Sequence, residues 1–428
     1  MAATEPLHLG IDVGTSGVRG IAIDDTGAIR AQASRPMPAP ASEGGGITQD
    51  PAVWWQAVAA VLDAVSAEAG RGRIRSLAVD GTSGTLLLAD ADGRPLAPAR
   101  MYNDASAAHL APRIEAVAPP ESGAHGATSP LARLLLQQPL HPEARFALHQ
   151  ADWIVGRLTG RWGVSDENNA LKLGYDPVAR RWPDWLDALG VRRELLPEVA
   201  PPGTPLGPAA PAIAERFALA PDCLIVAGTT DGCASFLATG AGRIGDGVTA
   251  LGSTLTLKLL SDNPVFSPAH GVYSHRLGDR WLVGGASNSG GNALLRFLTA
   301  ERMAALTPQL APDRPTGFHW HPLPGRGERF PVADPAMTFM PEPLPDDDLR
   351  LFQGLLEGIA EVEARAYALL RELGGPPLRS VRTVGGGAAN PGWTAIRARL
   401  LGVPMPAPTS LEAAYGTALL ARQGHRHG

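Results

Sequence analysis

Leu7-His8-Leu9-Gly10-Ile11-Asp12-Val13-Gly14-Thr15-Ser16-Gly17-Val18-Arg19-Gly20-Ile21-Ala22-Ile23-Asp24 reads as two strands folded about a glycine–hydroxyl turn with a carboxylate in its mouth. A second turn of the same kind, Thr249-Ala250-Leu251-Gly252-Ser253-Thr254-Leu255-Thr256-Leu257, follows past the middle of the chain. Each can point backbone N–H groups at an anion, so the pair suggests two like domains gripping one polyphosphate. Glycine permits close approach, and Thr15, Ser16, Ser253 and Thr254 add hydroxyl donors. Asp12 repels a phosphate and makes chemical sense with a divalent cation between them. Mg²⁺, which keeps much of its hydration shell, is the expected ion, held through water. Read singly, either hairpin also fits an ordinary turn shaped by its Asp and Gly.

The 428 residues suffice for two or three domains with real cores. Hydrophobic content of 44% and a mean hydropathy of −0.02 describe a soluble globular chain. Met1-Ala2-Ala3-Thr4-Glu5-Pro6 has no basic region or apolar run, so no secretory leader is expected, and no stretch is long and apolar enough to span a bilayer. A net charge of −5 and a pI near 6.1 give no reason to expect nucleic-acid binding. Cys223 and Cys233 are the only cysteines, which excludes a disulfide framework and makes a poor metal site. Buried thiols in a reducing cytoplasm are expected. Only Lys172 and Lys258 are lysines among 37 basic residues, a bias that reads as nucleotide composition rather than function.

Asp50 and Pro51 start a helix, as cap and first-turn residue, whose apolar positions Trp54 to Val65 recur at helical spacing until Gly70. Ile74–Asp80 is a strand entering Gly81-Thr82-Ser83-Gly84-Thr85, and Leu86–Asp90 is the next strand. Leu131–Gln138 and Phe146–Leu158 read as helices, whereas 35–46 and 197–211 read as Pro-rich connections. A domain boundary fits at 240–247, giving domains of 1–239 and 240–411. Gly240-Ala241-Gly242-Arg243-Ile244-Gly245 matches the dinucleotide fingerprint in letters, but follows a helix and precedes a strand, so it reads as a linker. Asp346-Asp347-Asp348 opens a long helix that Gly374 ends.

Gly228-Thr229-Thr230-Asp231-Gly232 places a carboxylate at a strand-to-helix junction. Such an Asp caps the helix, or serves as base toward a substrate hydroxyl; phosphoryl transfer to an alcohol needs alignment, charge neutralisation and one proton acceptor. Val381-Arg382-Thr383-Val384-Gly385-Gly386-Gly387 is a strand entering three glycines, against whose backbone a flat nucleobase can lie, with Asn390 placed to bond its edge. A plain flexible turn is the other reading.

Taken in order, these segments resemble the FGGY carbohydrate kinases. The collinear set also includes Gln49-Asp50-Pro51 with Trp54-Trp55, Ser129–Leu134, Asp166 with Asn169-Ala170, Leu251-Gly252-Ser253-Thr254 and Gly284-Gly285 with Gly290-Gly291. It ends with Gly354–Gly358, Gly385-Gly386-Gly387 with Asn390, and Glu412–Gly416. The resemblance implies an α/β two-domain actin/hexokinase-like (ribonuclease H-like) fold with an interdomain cleft, 412–428 packing back on the N-terminal, sugar-binding domain. It implies Asp231 as general base, Asp12 at the sugar and at Mg²⁺, and ATP held by Thr15, Ser16, Gly17, Ser253, Thr254, Gly386, Gly387, Asn390 and Trp393.

Where xylulose kinases carry Gln-Met-His-Gly, this chain has Gly81-Thr82-Ser83-Gly84-Thr85, and a family Trp-x-Asp-x-Arg is replaced by Tyr102-Asn103-Asp104-Ala105-Ser106. The 80–85 segment, Asn169–Tyr175, Ala227–Asp231 and Gly284–Asn288 are similar to the short D-ribulose kinases. That similarity implies a cytoplasmic enzyme converting D-ribulose to D-ribulose 5-phosphate with ATP and Mg²⁺, Ser83 and Asp231 contacting the sugar. The alternatives are a kinase for D-xylulose, L-ribulose or a polyol, and, in another class, a nucleotide-binding switch of the actin and chaperone type. No nucleic-acid or membrane partner is expected, and the sequence is silent on oligomeric state.

Overall fold

β1 (Leu7–Val13) and β2 (Gly17–Ile23) pair antiparallel, with Asp12 opposite Arg19. They are the centre of a six-stranded sheet completed by β3 (Ile29–Pro36), β4 (Ile74–Gly81), β5 (Pro205–Pro208) and β6 (Leu224–Thr230), in the order β5-β6-β4-β1-β2-β3. β1, β4 and β6 run parallel, and the register sets Asp12 beside Asp80 and Thr230 beside Gly81. The computed structural model describes residues 5–43 and 45–427, so the reading of the chain's opening falls largely outside the described residues.

Alternation along β1 decides the layers. Leu7, Leu9, Ile11 and Val13 face the core shared with Trp54, Val58, Val61, Leu62 and Val65 of the helix Pro51–Ala69. Each such side chain, fully buried, contributes about 1.5–3 kcal/mol. That helix starts and stops on local chemistry, since the Asp50 side chain accepts from the Ala52 N–H and Gly70 closes the last turn. The other face of the sheet receives the C-terminal helix, Ala413–His427: Ile21 and Ile23 meet Ala414 and Ala418, and Ala78 and Val226 meet Leu420 and Ala421. Gly10 makes that approach possible, because a Cβ there would lie 2.0 Å from the Ala414 carbonyl oxygen. Asp12, two residues on from Gly10, therefore lies on the face the C-terminal helix covers.

β6 carries a register shift between Val226 and Thr229, and Gly228 sits within it. A Cβ at Gly228 would stand 1.8 Å from the Val79 carbonyl oxygen, so only glycine lets β6 press against β4 just before Asp231.

The chain divides into two compact units, one of Met1–Ala238 with His275–Gly278 and Glu412–Gly428, the other of Thr239–Ser274 with Asp279–Leu411. Within the second, β7 (Asp246–Leu251) and β8 (Leu255–Ser261) form an antiparallel hairpin. β9 (Arg280–Ser287) extends it beside β8, and β10 (Ser380–Val384) runs parallel to β7 on the other side. The core joins Leu251, Leu255, Leu257 and Leu259 of the hairpin to Phe352, Leu355, Leu356 and Ile359 of the helix Asp348–Glu372.

Three local expectations differ from the structure. Phe146–His149 is a strand, pairing antiparallel with Leu86–Ala89, and the helix begins only at Gln150. A short apolar run is compatible with either state, and here a distant strand selects between them. The connection at 35–46 contains the end of β3 and a short strand, Ala41–Glu43. The Pro-rich 197–211 includes Glu198–Ala200 and β5; the latter is an edge strand, where missing proline donors cost no ladder bond. Both cysteines are free and buried, and burial pushes the Cys223 thiol up to about 12. Among the described residues no helix is long and apolar enough to cross a membrane.

Candidate active site

In the first unit the chemistry gathers at the carboxyl ends of three neighbouring parallel strands, the place where open α/β sheets bind ligands. β1 ends in Asp12 and the turn Gly14–Gly17, closed by the Gly14 N–H donating to the Gly17 carbonyl (3.0 Å). Thr15 is half-buried at that turn and Ser16 is exposed. β4 ends in Asp80 and the loop carrying Ser83. β6 ends at Asp231, first residue of the helix Asp231–Ala238, with one carboxylate oxygen accepting from the Gly232 N–H (2.7 Å).

Three carboxyls thus share one corner, and burial makes them interact. Asp12 is 7% exposed, and burial, with the nearby Asp231 charge, pushes its carboxyl up to about 6. A hydrogen bond from Asp80 and the Arg19 guanidinium (3.5 Å) oppose that rise. Asp80 is fully buried, and burial followed by the charge of Asp12 raises it well above the usual carboxylate range. Asp80 is therefore the harder of the two to ionise, and it accepts a hydrogen bond from the Thr417 hydroxyl of the C-terminal helix. Arg19 also reaches Glu412 (3.3 Å), so its half-exposed guanidinium brings positive charge to the Asp12 carboxyl.

An ion such as Mg²⁺ fits Asp12. A cation there would relieve both the burial of the carboxylate and its repulsion with Asp231. Among the described residues no three His, Cys, Asp or Glu side chains, Asp12, Asp80 and Asp231 included, come close enough to hold one ion together, so Asp12 offers a single carboxylate rather than part of a cage. That donor set suits a hydrated ion shared with phosphate oxygens.

Behind Asp231, the Asn168 amide donates to the Thr229 hydroxyl (2.9 Å) and to the Arg276 carbonyl (2.9 Å), while its oxygen accepts from the Arg276 N–H (3.0 Å). This bidentate grip holds the segment His275–Gly278 on the first unit. Asp166 caps the short helix that carries Asn168, Glu167–Ala170, through the N–H groups of Asn168 and Asn169. Burial, with Asp152 adding to it, pushes the Asp166 carboxyl up to about 7. The folded state therefore holds a proton there that the unfolded chain releases near pH 4. The associated stability is full below that pH and is lost as pH rises through about 7. Thermal unfolding between pH 5 and 8 is expected to show the wild type declining with pH and Asp166→Asn following a flatter line.

Ser83 lies in the loop after β4, and its hydroxyl oxygen is buried without a hydrogen-bond partner among the described residues. In the second unit, the parallel register of β7 and β10 brings the turn with Ser253 and Thr254 and the loop Gly385–Gly387 to one end of the sheet. Ser253 is exposed, and its carbonyl accepts from the Asn292 N–H (3.1 Å). Gly386 is exposed, Gly387 half-buried. Asn390 caps the helix Pro391–Leu401 by accepting from the Trp393 N–H (2.9 Å), and its amide donates to the Thr307 hydroxyl (3.2 Å). Trp393 is 4% exposed, donates its indole N–H to the Leu356 carbonyl (3.1 Å) and underlies Gly387.

Asp80, Arg19, Thr417 and Asn168 escape a reading by motif. Asp80 alone left a usable signal, a carboxylate ending an apolar strand, since charge is rarely buried without a purpose.

Family models match both halves of the chain: the N-terminal domain of the FGGY family of carbohydrate kinases over residues 7–125, and its C-terminal domain over 247–423. The chain is 26% identical to the xylulose kinase of Escherichia coli strain K12 over 97% of its own length and 90% of the relative's. It is 26% identical to the glycerol kinase of Paracidovorax citrulli over 96% of this chain and 90% of that one. Its fold superposes on the crystal structure of a xylulose kinase from Rhodospirillum rubrum with a TM-score of 0.86 at 25% identity, covering 98% of this chain and 90% of that chain. The chain belongs to the FGGY family of carbohydrate kinases. Its two-domain α/β sugar kinase fold and the family's use of ATP define a phosphotransferase acting on a small carbohydrate.

Proposed function

We propose that the protein transfers the γ-phosphoryl group of ATP to the 5-hydroxyl of D-ribulose, giving D-ribulose 5-phosphate. The observation supporting this reading is the carboxylate of Asp231 at the carboxyl end of β6, beside Asp12 and Asp80, whose carboxyls burial raises above their ordinary range. Burial and the charge of Asp12 hold the Asp80 carboxyl well above the usual carboxylate range, and one of its oxygens is already taken by the Thr417 hydroxyl; Asp231, half-buried at the start of its helix, is the carboxylate placed to accept the hydroxyl proton. Mg²⁺ at Asp12 would neutralise phosphate charge as it shifts during transfer. Arg19 brings further positive charge, and Thr15, Ser16 and Gly17 present donors to phosphate oxygens. The first unit would thus hold the sugar, with Ser83 among its contacts. Ser253, Thr254, Gly386 and Gly387 of the second would hold the nucleotide, with Asn390 and Trp393 shaping its glycine loop.

The choice of D-ribulose rests on the Asp80–Thr85 segment, in which Ser83 stands between the small residues Gly81, Thr82, Gly84 and Thr85 in sequence. The names of the relatives favour D-xylulose as a second reading. ADP release with Mg·ATP across D-ribulose, D-xylulose, L-ribulose, ribitol and glycerol distinguishes them. The highest kcat/KM is expected for D-ribulose, and a clear preference for D-xylulose would replace it. No stimulation by any sugar would overturn the transferase reading in favour of a nucleotide switch.

A further inference from the structure

Gln150 opens the helix Gln150–Thr159 and is fully buried. Its carboxamide oxygen accepts twice from one residue, the Thr82 N–H (3.0 Å) and the Thr82 hydroxyl (2.8 Å). Thr82 is itself fixed by the Thr85 hydroxyl at 2.6 Å. This pins the amide plane, because a flipped amide would set its NH₂ against the Thr82 N–H, donor facing donor. The NH₂ end meets no acceptor among the described residues. Folded proteins rarely keep a fully buried donor unpaired, since its lost hydration goes uncompensated. One residue beyond Thr82, the Ser83 hydroxyl is in the same condition. Both flank the end of β4, whose Gly81 lies opposite Thr230, the residue before Asp231.

We propose that Gln150 is a substrate-recognition residue, its NH₂ donating to a sugar oxygen other than the hydroxyl that Asp231 deprotonates. This rests on the kinase reading above and sharpens it: the acceptor is a ketose or polyol with a second oxygen that reaches the β4 loop. Asp231 activates one end of the substrate, and Gln150 reads another.

Gln150→Glu keeps the length and an oxygen for Thr82 but replaces the NH₂ by an oxygen. ADP release would be measured with D-ribulose, D-xylulose, ribitol, and the 1-deoxy and 3-deoxy forms of the preferred sugar. The sugar KM is expected to rise about tenfold or more with the ATP KM unchanged, because a site built to bond a hydroxyl discriminates strongly once the pair is broken. The penalty the wild type shows against one deoxy sugar should largely vanish in the variant. If Gln150→Glu is misfolded by its melting temperature, Gln150→Met serves with the same readouts. A sugar-bound crystal structure would show Nε2 within about 3.2 Å of a sugar oxygen. An unchanged sugar KM, an undiminished deoxy penalty, or a bound sugar out of reach of Nε2 overturns the assignment. Should the wild type release no ADP with any sugar, the kinase reading fails separately. Gln150 would then stand or fall on whether the sugars raise the wild-type melting temperature and not that of Gln150→Glu.

Discussion

Asp231→Ala is expected to lower kcat by about 10²–10⁴, the usual contribution of a positioned general base. The mutation removes the carboxylate that would accept the hydroxyl proton and leaves Asp12, Arg19 and the turn Gly14–Gly17 as they stand. ATP affinity, read by calorimetry or by a nucleotide-induced rise in melting temperature, should change little. The carboxylate also accepts from the Gly232 N–H at the start of its helix, so a loss of stability of about 1 kcal/mol is expected from that hydrogen bond alone. Asp231→Asn separates the two roles, because the amide oxygen still accepts that hydrogen bond but has no affinity for a proton. Near-normal turnover in either variant would remove Asp231 from the chemistry.

The largest expected effect on stability lies in the second unit, at Arg397. Arg397 and Glu363 are both fully buried and bonded twice, at 2.6 and 2.7 Å. Arg397 also donates to the Thr383 hydroxyl (2.7 Å), and Glu363 accepts from the Thr249 hydroxyl (2.6 Å), which is bonded in turn to Tyr367 (2.9 Å). The network thereby ties the helix Pro391–Leu401 to β7 and β10, the strands that deliver Ser253–Thr254 and Gly385–Gly387. Arg397→Met leaves a buried carboxylate without its partner and should cost about 3–5 kcal/mol. At roughly 2–4 °C per kcal/mol for a unit of this size, the loss is readily seen by calorimetry. Adding Glu363→Leu should recover part of it, since removing both charges avoids the stranded one. A single variant that melts with the wild type would contradict this account.

The helix Pro51–Ala69 shows how far local chemistry reaches. Asp50, Pro51, the apolar spacing and Gly70 fix its start, its buried stripe and its end without reference to the rest of the chain. Both glycine–hydroxyl hairpins are equally legible, because each is closed by neighbours in sequence. Phe146–His149 shows where local chemistry stops. Nothing within the segment distinguishes strand from helix, and the pairing with Leu86–Ala89, some sixty residues away, makes the choice.

The candidate site divides along the same line. Asp12, Thr15, Ser16 and Asp231 stand in short motifs whose residue types are sufficient to draw attention. Asp80 and Gln150 have meaning only through what surrounds them. The parallel register of β1 and β4 sets two carboxyls side by side, and the C-terminal helix seals them, so that burial and repulsion among neighbouring carboxyls raise both above the range of an isolated aspartate. Thr82 pins the oxygen of Gln150, and only that fixed orientation leaves a buried NH₂ in want of an acceptor. By itself the sequence determined where strands turn, which helices begin at caps and which family the chain resembles, because these depend on residues a few positions apart. Tertiary structure alone decided which carboxyls burial raises and which amide NH₂ is left without an acceptor, because desolvation and hydrogen-bond pairing depend on neighbours from distant parts of the chain.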